Sequence, residues 1–133
     1  MQVGVHAATD VTGFGLLGHL HEMLEASGVG ARLSAGMVPV LPGAADLAAR
    51  GAVAGGTARN LEWLADKIRW APQIDEVTRI LLADAQTSGG LLIAAPPTRA
   101  EALRAALRAR GVETVVRIGT IIALDGTPID VQP

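Results

Sequence analysis

ATDVTGFGLLGHLHEML, residues 8–24, decides how the chain is read. The stretch begins on the tail of a short apolar run, Val3-Gly4-Val5-His6-Ala7-Ala8, whose length suits a buried strand. Thr9 to Gly15 then form a turn punctuated by Gly13 and Gly15. Leu16, Leu17, Leu20, Met23 and Leu24 follow at the spacing of one helix face. Gly28 after Ser27 predicts the stop, because the residue closing a helix often needs a positive φ.

Working outward, Val29–Leu33 predicts a strand, and Pro39 and Pro42 interrupt the backbone before a short helix over residues 44–50. Gly55–Asn60 reads as a loop, with Thr57 or Asn60 capping the segment that carries Leu61, Trp63 and Leu64. Asp75 suits the N-cap of a helix over residues 76–83. Leu91–Ala95 is a continuous apolar run, which predicts a buried strand. Thr98 and Glu101 have the spacing of a capping box, with Leu103 and Leu107 on the buried face of the helix they start. Residues 115–124 are rich in β-branched side chains, and Asp125-Gly126 predicts a hairpin turn into a return strand through Ile129 and Val131. A βαβ-like unit follows from residues 91–124, and the whole predicts an α+β (mixed α/β) domain: a mixed sheet covered by helices over residues 1–133.

Composition narrows the function classes. A chain of 133 residues with half of them hydrophobic can bury about two-thirds of its unfolded surface. One Phe, two Trp, no Tyr and 24 Ala predict a small-sided aliphatic core. The net charge of −2 argues against an electrostatic nucleic-acid binder. The absence of Cys excludes a disulfide scaffold, a thiolate metal site and a cysteine nucleophile within these residues. No apolar run approaches the ~20 residues of a membrane span, and residues 1–4 lack the shape of a signal peptide. A cytoplasmic protein is the expectation.

Few residues point to chemistry. Asp10 stands where a strand meets a helix, beside glycines that let a ligand come close, and its hard oxygens suit Mg²⁺. The plainer reading is that Asp10 or Thr12 caps the helix. Gln86-Thr87-Ser88-Gly89-Gly90 offers hydroxyls, an amide and backbone N–H groups to a phosphate, or is simply a glycine-pair turn; it lacks the P-loop spacing. His19 and His21, two apart on a helix, cannot chelate one ion. The charged face of Arg99, Glu101, Arg104, Arg108 and Arg110 reads as solvated, and Trp63 and Trp70 as core or interface residues.

Residues 8–20, ATDVTGFGLLGHL, resemble the signature of the selenophosphate synthetase (selenide, water dikinase) family. Gly55-Gly56-Thr57-Ala58-Arg59-Asn60, then Asp84-Ala85-Gln86-Thr87-Ser88-Gly89-Gly90-Leu91-Leu92, then Ile118-Gly119 are similar to that family in the same order. Ala85 departs from it, since the family usually has Pro there. The resemblance covers the C-terminal part of the family's protein. It implies the fold of the C-terminal domain of the aminoimidazole ribonucleotide synthetase superfamily.

It implies as well that an N-terminal ATP-binding domain, absent here, carries the nucleophilic Cys or selenocysteine, a catalytic Lys, a glycine-rich segment and further Mg²⁺-binding Asp residues. The implied reaction turns selenide, ATP and water into selenophosphate, AMP and orthophosphate. By the same resemblance Asp10 is a metal ligand, Gly13 lies near the nucleotide, and Thr87, Ser88, Gly89 and Gly90 are candidate cofactor-binding residues. The implied cofactors are Mg²⁺ and ATP, and the implied partners are the chain's own N-terminal domain, selenide and a second copy in a homodimer, with no nucleic acid and no membrane. The residues alone are expected to be catalytically silent and to self-associate through the front helix or the Trp63–Trp70 region. Two alternatives stay open: a free-standing interaction module of the same fold, with Met1 as its natural start, and a domain of a sister ATP-using synthetase.

Overall fold

The computed structural model describes residues 3–133; Met1, and with it the reading of a natural start, lies outside them. The opening strand is shorter and later than the apolar run suggests: β1 (Ala7–Asp10) includes Asp10 rather than ending before it. It pairs antiparallel with β4 (Leu91–Ala94) in a two-stranded ribbon that sets Asp10 opposite Leu91. The other strands form a mixed sheet in the order β3 (Ile68–Trp70), β6 (Ile129–Gln132), β2 (Gly30–Ser34), β5 (Gly119–Ile122). Pairings β3·β6 and β6·β2 are parallel, and β2·β5 is antiparallel. The architecture is the expected α+β one, with its strands divided between two sheets.

Helix α1 (Gly15–Ser27) follows the predicted stripe and ends at Gly28, whose φ of 64° is the left-handed conformation that lets the cap amide turn back. Leu17, Leu20 and Leu24 from α1 meet Leu33 from β2, Ile68 from β3, and Ile129 and Val131 from β6 in the core. Leu82 and Ala83 close it from the end of α4 (Glu76–Leu82), which starts with the Asp75 carboxylate accepting from the Thr78 N–H at 2.7 Å. Helix α2 (Ala44–Ala49) matches its prediction.

Four expectations are corrected. Gly55–Asn60 is no loop: α3 (Gly55–Trp63) begins at Gly55, so Thr57 and Asn60 lie inside the helix, buried, and cap nothing. Residues 97–99 form a 3-10 turn before α5 (Ala100–Arg108), where Thr98 makes no capping hydrogen bond and Glu101 pairs with Arg104 instead. Strand β4 is not buried; Leu91 is 70% exposed, because a two-stranded ribbon has only one neighbour to cover it. Residues 91–124 are no βαβ unit, since β4 and β5 belong to different sheets.

The predicted hairpin is opened too. Only residues 119–122 of the β-branched run are strand, and β5 and β6 are not paired with each other. Gly126 does turn the chain, with φ 68°, but β2 lies between the two strands it joins. Ala31 thus sits opposite Ile121 on one side and Ile129 on the other. Turn chemistry located the reversal, whereas the insertion of β2 was a long-range choice of pairing.

One buried charge lies in this sheet. Asp130 has a side chain only 5% exposed, and it stands in register with Arg32 on one side and Arg69 on the other. Burial pushes its carboxyl up, but hydrogen bonds from Arg32 and Gln132 and the charges of Arg32 and Arg69 outweigh burial and hold it below the ordinary value. A pKa lower in the folded state means that the unfolded chain binds more protons below about pH 4, so this stabilisation is present above that pH and lost as pH falls through the folded value. Thermal unfolding followed from pH 7 to pH 3 should therefore show a steeper acid loss for the wild type than for Asp130→Asn. Parallel acid limbs would show that Asp130 carries none of that dependence.

Candidate functional site

Asp10, at the end of β1, is exposed. Among the described residues its carboxylate accepts no hydrogen bond and forms no ion pair; only its backbone carbonyl is engaged, by the Thr9 hydroxyl at 3.2 Å. The capping alternative falls, since α1 begins after Phe14 with no side-chain cap. Thr12 turns its hydroxyl to His19 Nε2 at 3.0 Å, and His19 Nδ1 faces Glu22 Oε2 at 3.0 Å. His21 instead packs edge-on against Trp63, so the two histidines address different partners. Among the described residues no three His, Asp or Glu gather as a metal cage.

The motifs that are far apart in sequence converge beneath Asp10. The Asn60 side-chain amide donates to the Gly13 carbonyl at 2.9 Å and to the Ala83 carbonyl at 3.0 Å, tying the front turn to the end of α4. The Thr57 hydroxyl donates to Asp84 Oδ1 at 2.6 Å and accepts the Ala85 N–H at 3.2 Å. Ala85, the departure from the family pattern, thus supplies a donor that proline lacks. The Gln86 side chain donates to Asp84 Oδ2 at 3.1 Å, while its N–H donates to the Thr12 carbonyl at 3.0 Å. Val11 N–H closes the arrangement on the Gly90 carbonyl at 2.9 Å.

Thr57, Asn60 and Asp84 were therefore missed as site-building residues. The signal that could have found them is the pair of polar side chains three apart on a helix, which leaves both on one face. The structure does bring Gly13 and the loop of Thr87, Ser88, Gly89 and Gly90 together beside Asp10. All five of those residues are exposed, and the N–H groups of Thr87 and Ser88 donate to no carbonyl among the described residues.

Three large apolar side chains are exposed on the ribbon, the front turn and α3. Phe14 is 54% exposed and stacks at 6.4 Å on Trp63, which is 47% exposed, and Leu91 stands opposite Asp10 in the ribbon. Trp63, read as core or interface, is thus a surface residue, with Lys67 over its ring at 4.8 Å. Trp70 is half-buried under Arg79.

The glycines divide into two kinds. A Cβ on Gly15, whose φ is +68°, would come to 2.6 Å from the Ala83 carbonyl oxygen, and one on Gly89 would collide with the Val11 carbonyl oxygen. A Cβ on Gly13 or Gly90 would meet nothing within 4 Å.

This fold, with its strand-to-helix turn pinned by α3 and the end of α4, defines the class of domain. The chain belongs to the family described as AIR synthase related protein, C-terminal domain, which its residues 1–131 match. Within that class it is similar to proteins named selenide, water dikinase. It is 45% identical over 118 residues to the one from Pelobacter propionicus, covering 89% of this chain and 34% of the relative. It is 55% identical over 104 residues to the one from Bordetella bronchiseptica, covering 77% and 29%. Among solved structures, Escherichia coli HypE matches with a TM-score of 0.61 and 27% identity over 96% of this chain and 32% of that one. The chain spans about a third of the length of the curated relatives it matches.

Thermal or denaturant unfolding checks the close approaches. Gly15→Ala and Gly89→Ala should each cost about 2 kcal/mol or more, while Gly13→Ala and Gly90→Ala should stay within about 0.5 kcal/mol. Equal costs for all four would mean that the turn and the loop are not packed as described.

Proposed function

We propose that residues 1–133 are the C-terminal domain of a selenide, water dikinase, and that they work with an N-terminal ATP-binding domain to make selenophosphate from selenide, ATP and water, releasing AMP and orthophosphate. The observation that carries this reading is the unclaimed carboxylate of Asp10, held out from a node built of the three stretches that resemble the family. Similarity to proteins of that name over most of the chain supports it.

One hard carboxylate suits a shared Mg²⁺, since this ion usually takes only one or two protein carboxylates, with phosphate oxygens and water completing its shell. Asp10 fits as such a contributor and cannot form a cage alone. The metal supplies charge neutralisation along the phosphate chain, where phosphoryl transfer depends on positioning. Among the described residues the N–H groups of Thr87 and Ser88 donate to no carbonyl, which leaves them for phosphate oxygens, and bare Gly89 lets the loop lie against Val11. Bare Gly13 leaves room for the nucleotide.

The apolar rim of Phe14, Trp63 and Leu91 suits a surface that another domain covers, and its exposure favours self-association of these residues alone. The intact enzyme is proposed to be a cytoplasmic homodimer. Among the described residues no helix is long and apolar enough to cross a membrane.

Joining this chain to the N-terminal two-thirds of the Pelobacter relative and measuring selenide-dependent AMP release tests the proposal. The chimera should turn over while the chain alone stays silent, and Asp10→Asn should lower the rate by about 100-fold. Gly13→Ala, which meets nothing within this chain, should lower activity without lowering stability. Undiminished turnover by the Asp10→Asn chimera would overturn the role of Asp10.

A further inference from the structure

The four-stranded sheet carries a second polar centre, apart from the ribbon that bears Asp10. Arg32, Asp130 and Arg69 form one row across β2, β6 and β3. Arg32 Nε donates to Asp130 Oδ2 at 2.9 Å, Arg69 Nε stands 3.7 Å from Oδ1, and the Gln132 amide donates to Oδ1 at 2.7 Å. Both carboxylate oxygens are thereby engaged. Arg32 bonds Asp130 through its Nε and Arg69 approaches it through its Nε, and among the described residues the terminal guanidinium nitrogens of both donate no hydrogen bond.

Arginine–carboxylate pairs frequently close one fork on one carboxylate. Here two cations share one anion, which leaves a surplus of one positive charge. The two side chains are 58% and 50% exposed, so their outer edges face solvent. They line a cleft of about 530 Å³ with Trp70, Pro72, Gln73 and Gln132, and Asp130 is its one acidic residue. Asp130 fixes the Arg32 guanidinium through a 2.9 Å hydrogen bond, so less of that side chain's freedom remains to be lost when a ligand arrives, while Arg69, 3.7 Å from the carboxylate, adds its charge.

We propose that this cleft binds a phosphate group, either as the free ion or as a small phosphomonoester. The terminal N–H groups of Arg32 and Arg69 would grip the phosphate oxygens, and the Trp70 ring would border an ester's organic part. The inference does not rest on the role of Asp10, since the two centres lie on different sheets.

The test is a titration of the full 133-residue chain with inorganic phosphate at constant ionic strength, with chloride as the reference, followed by amide and indole NMR shifts. Saturable shifts at residues 32, 69, 70, 130 and 132 are expected with phosphate and not with chloride. Arg69→Gln, which removes the longer and more dispensable contact to Asp130, should weaken binding about tenfold while the chain stays folded. Arg69→Lys should recover only part of it, because a point charge cannot present a fork. Phenyl phosphate binding more tightly than inorganic phosphate would assign the cleft to esters, and equal affinity to the free ion. Absence of saturable shifts, binding unchanged in Arg69→Gln, or shifts confined to residues 10–15 and 86–90 would overturn the proposal.

Discussion

Two side chains of one short helix tie the turn before α1 to the end of α4 and the residues that follow it. Asn60 bridges the carbonyls of Gly13 and Ala83, and Thr57 links Asp84 to the Ala85 amide. Both side chains are buried, and so is Ala83, so loss of the Asn60 amide would leave the Ala83 carbonyl without a partner inside the protein, at about 1–3 kcal/mol. Without these bonds the turn before α1 and the loop before β4 would keep the ribbon and the Gln86 N–H bond to the Thr12 carbonyl. With them, three stretches far apart in sequence are bonded into one node, and Asp10 is exposed beside it.

The same node explains two close approaches of bare backbone. Gly15 lies against the end of α4, and Gly89 lies against Val11, so the helix, the loop and the ribbon meet with no side chain between them. Packing of this kind suits a chain rich in alanine, where elements come close because little stands between them. Its outer rim is the opposite: Phe14, Trp63 and Leu91 are large, apolar and exposed.

Much of this was legible in the residues. The stripe from Leu16 to Leu24, its stop at Gly28 and the Asp75 cap all follow from local rules, and α1 and α4 form where those rules place them. Asp10 and the Thr87–Gly90 loop could be singled out because turn residues and a hard carboxylate carry local signals. Long-range pairing could not be read in the same way. Asp125-Gly126 announces a reversal, yet nothing nearby says that β2 will slide between the two strands. The run from Leu91 reads as buried because an apolar strand usually is, while its exposure depends on how few strands flank it. Thr57 and Asn60 look like caps because those residue types usually are; their partners, Asp84 and Gly13, lie 27 and 47 residues away.

Amide hydrogen exchange in Asn60→Ala gives the most direct measure of whether this node is what holds Asp10 in place. The N–H groups of Val11, Ala85 and Gln86, each bonded within the node, should lose protection together, while those of β2 and β6 keep theirs. Protection unchanged at all three, or lost equally across the four-stranded sheet, would contradict the account.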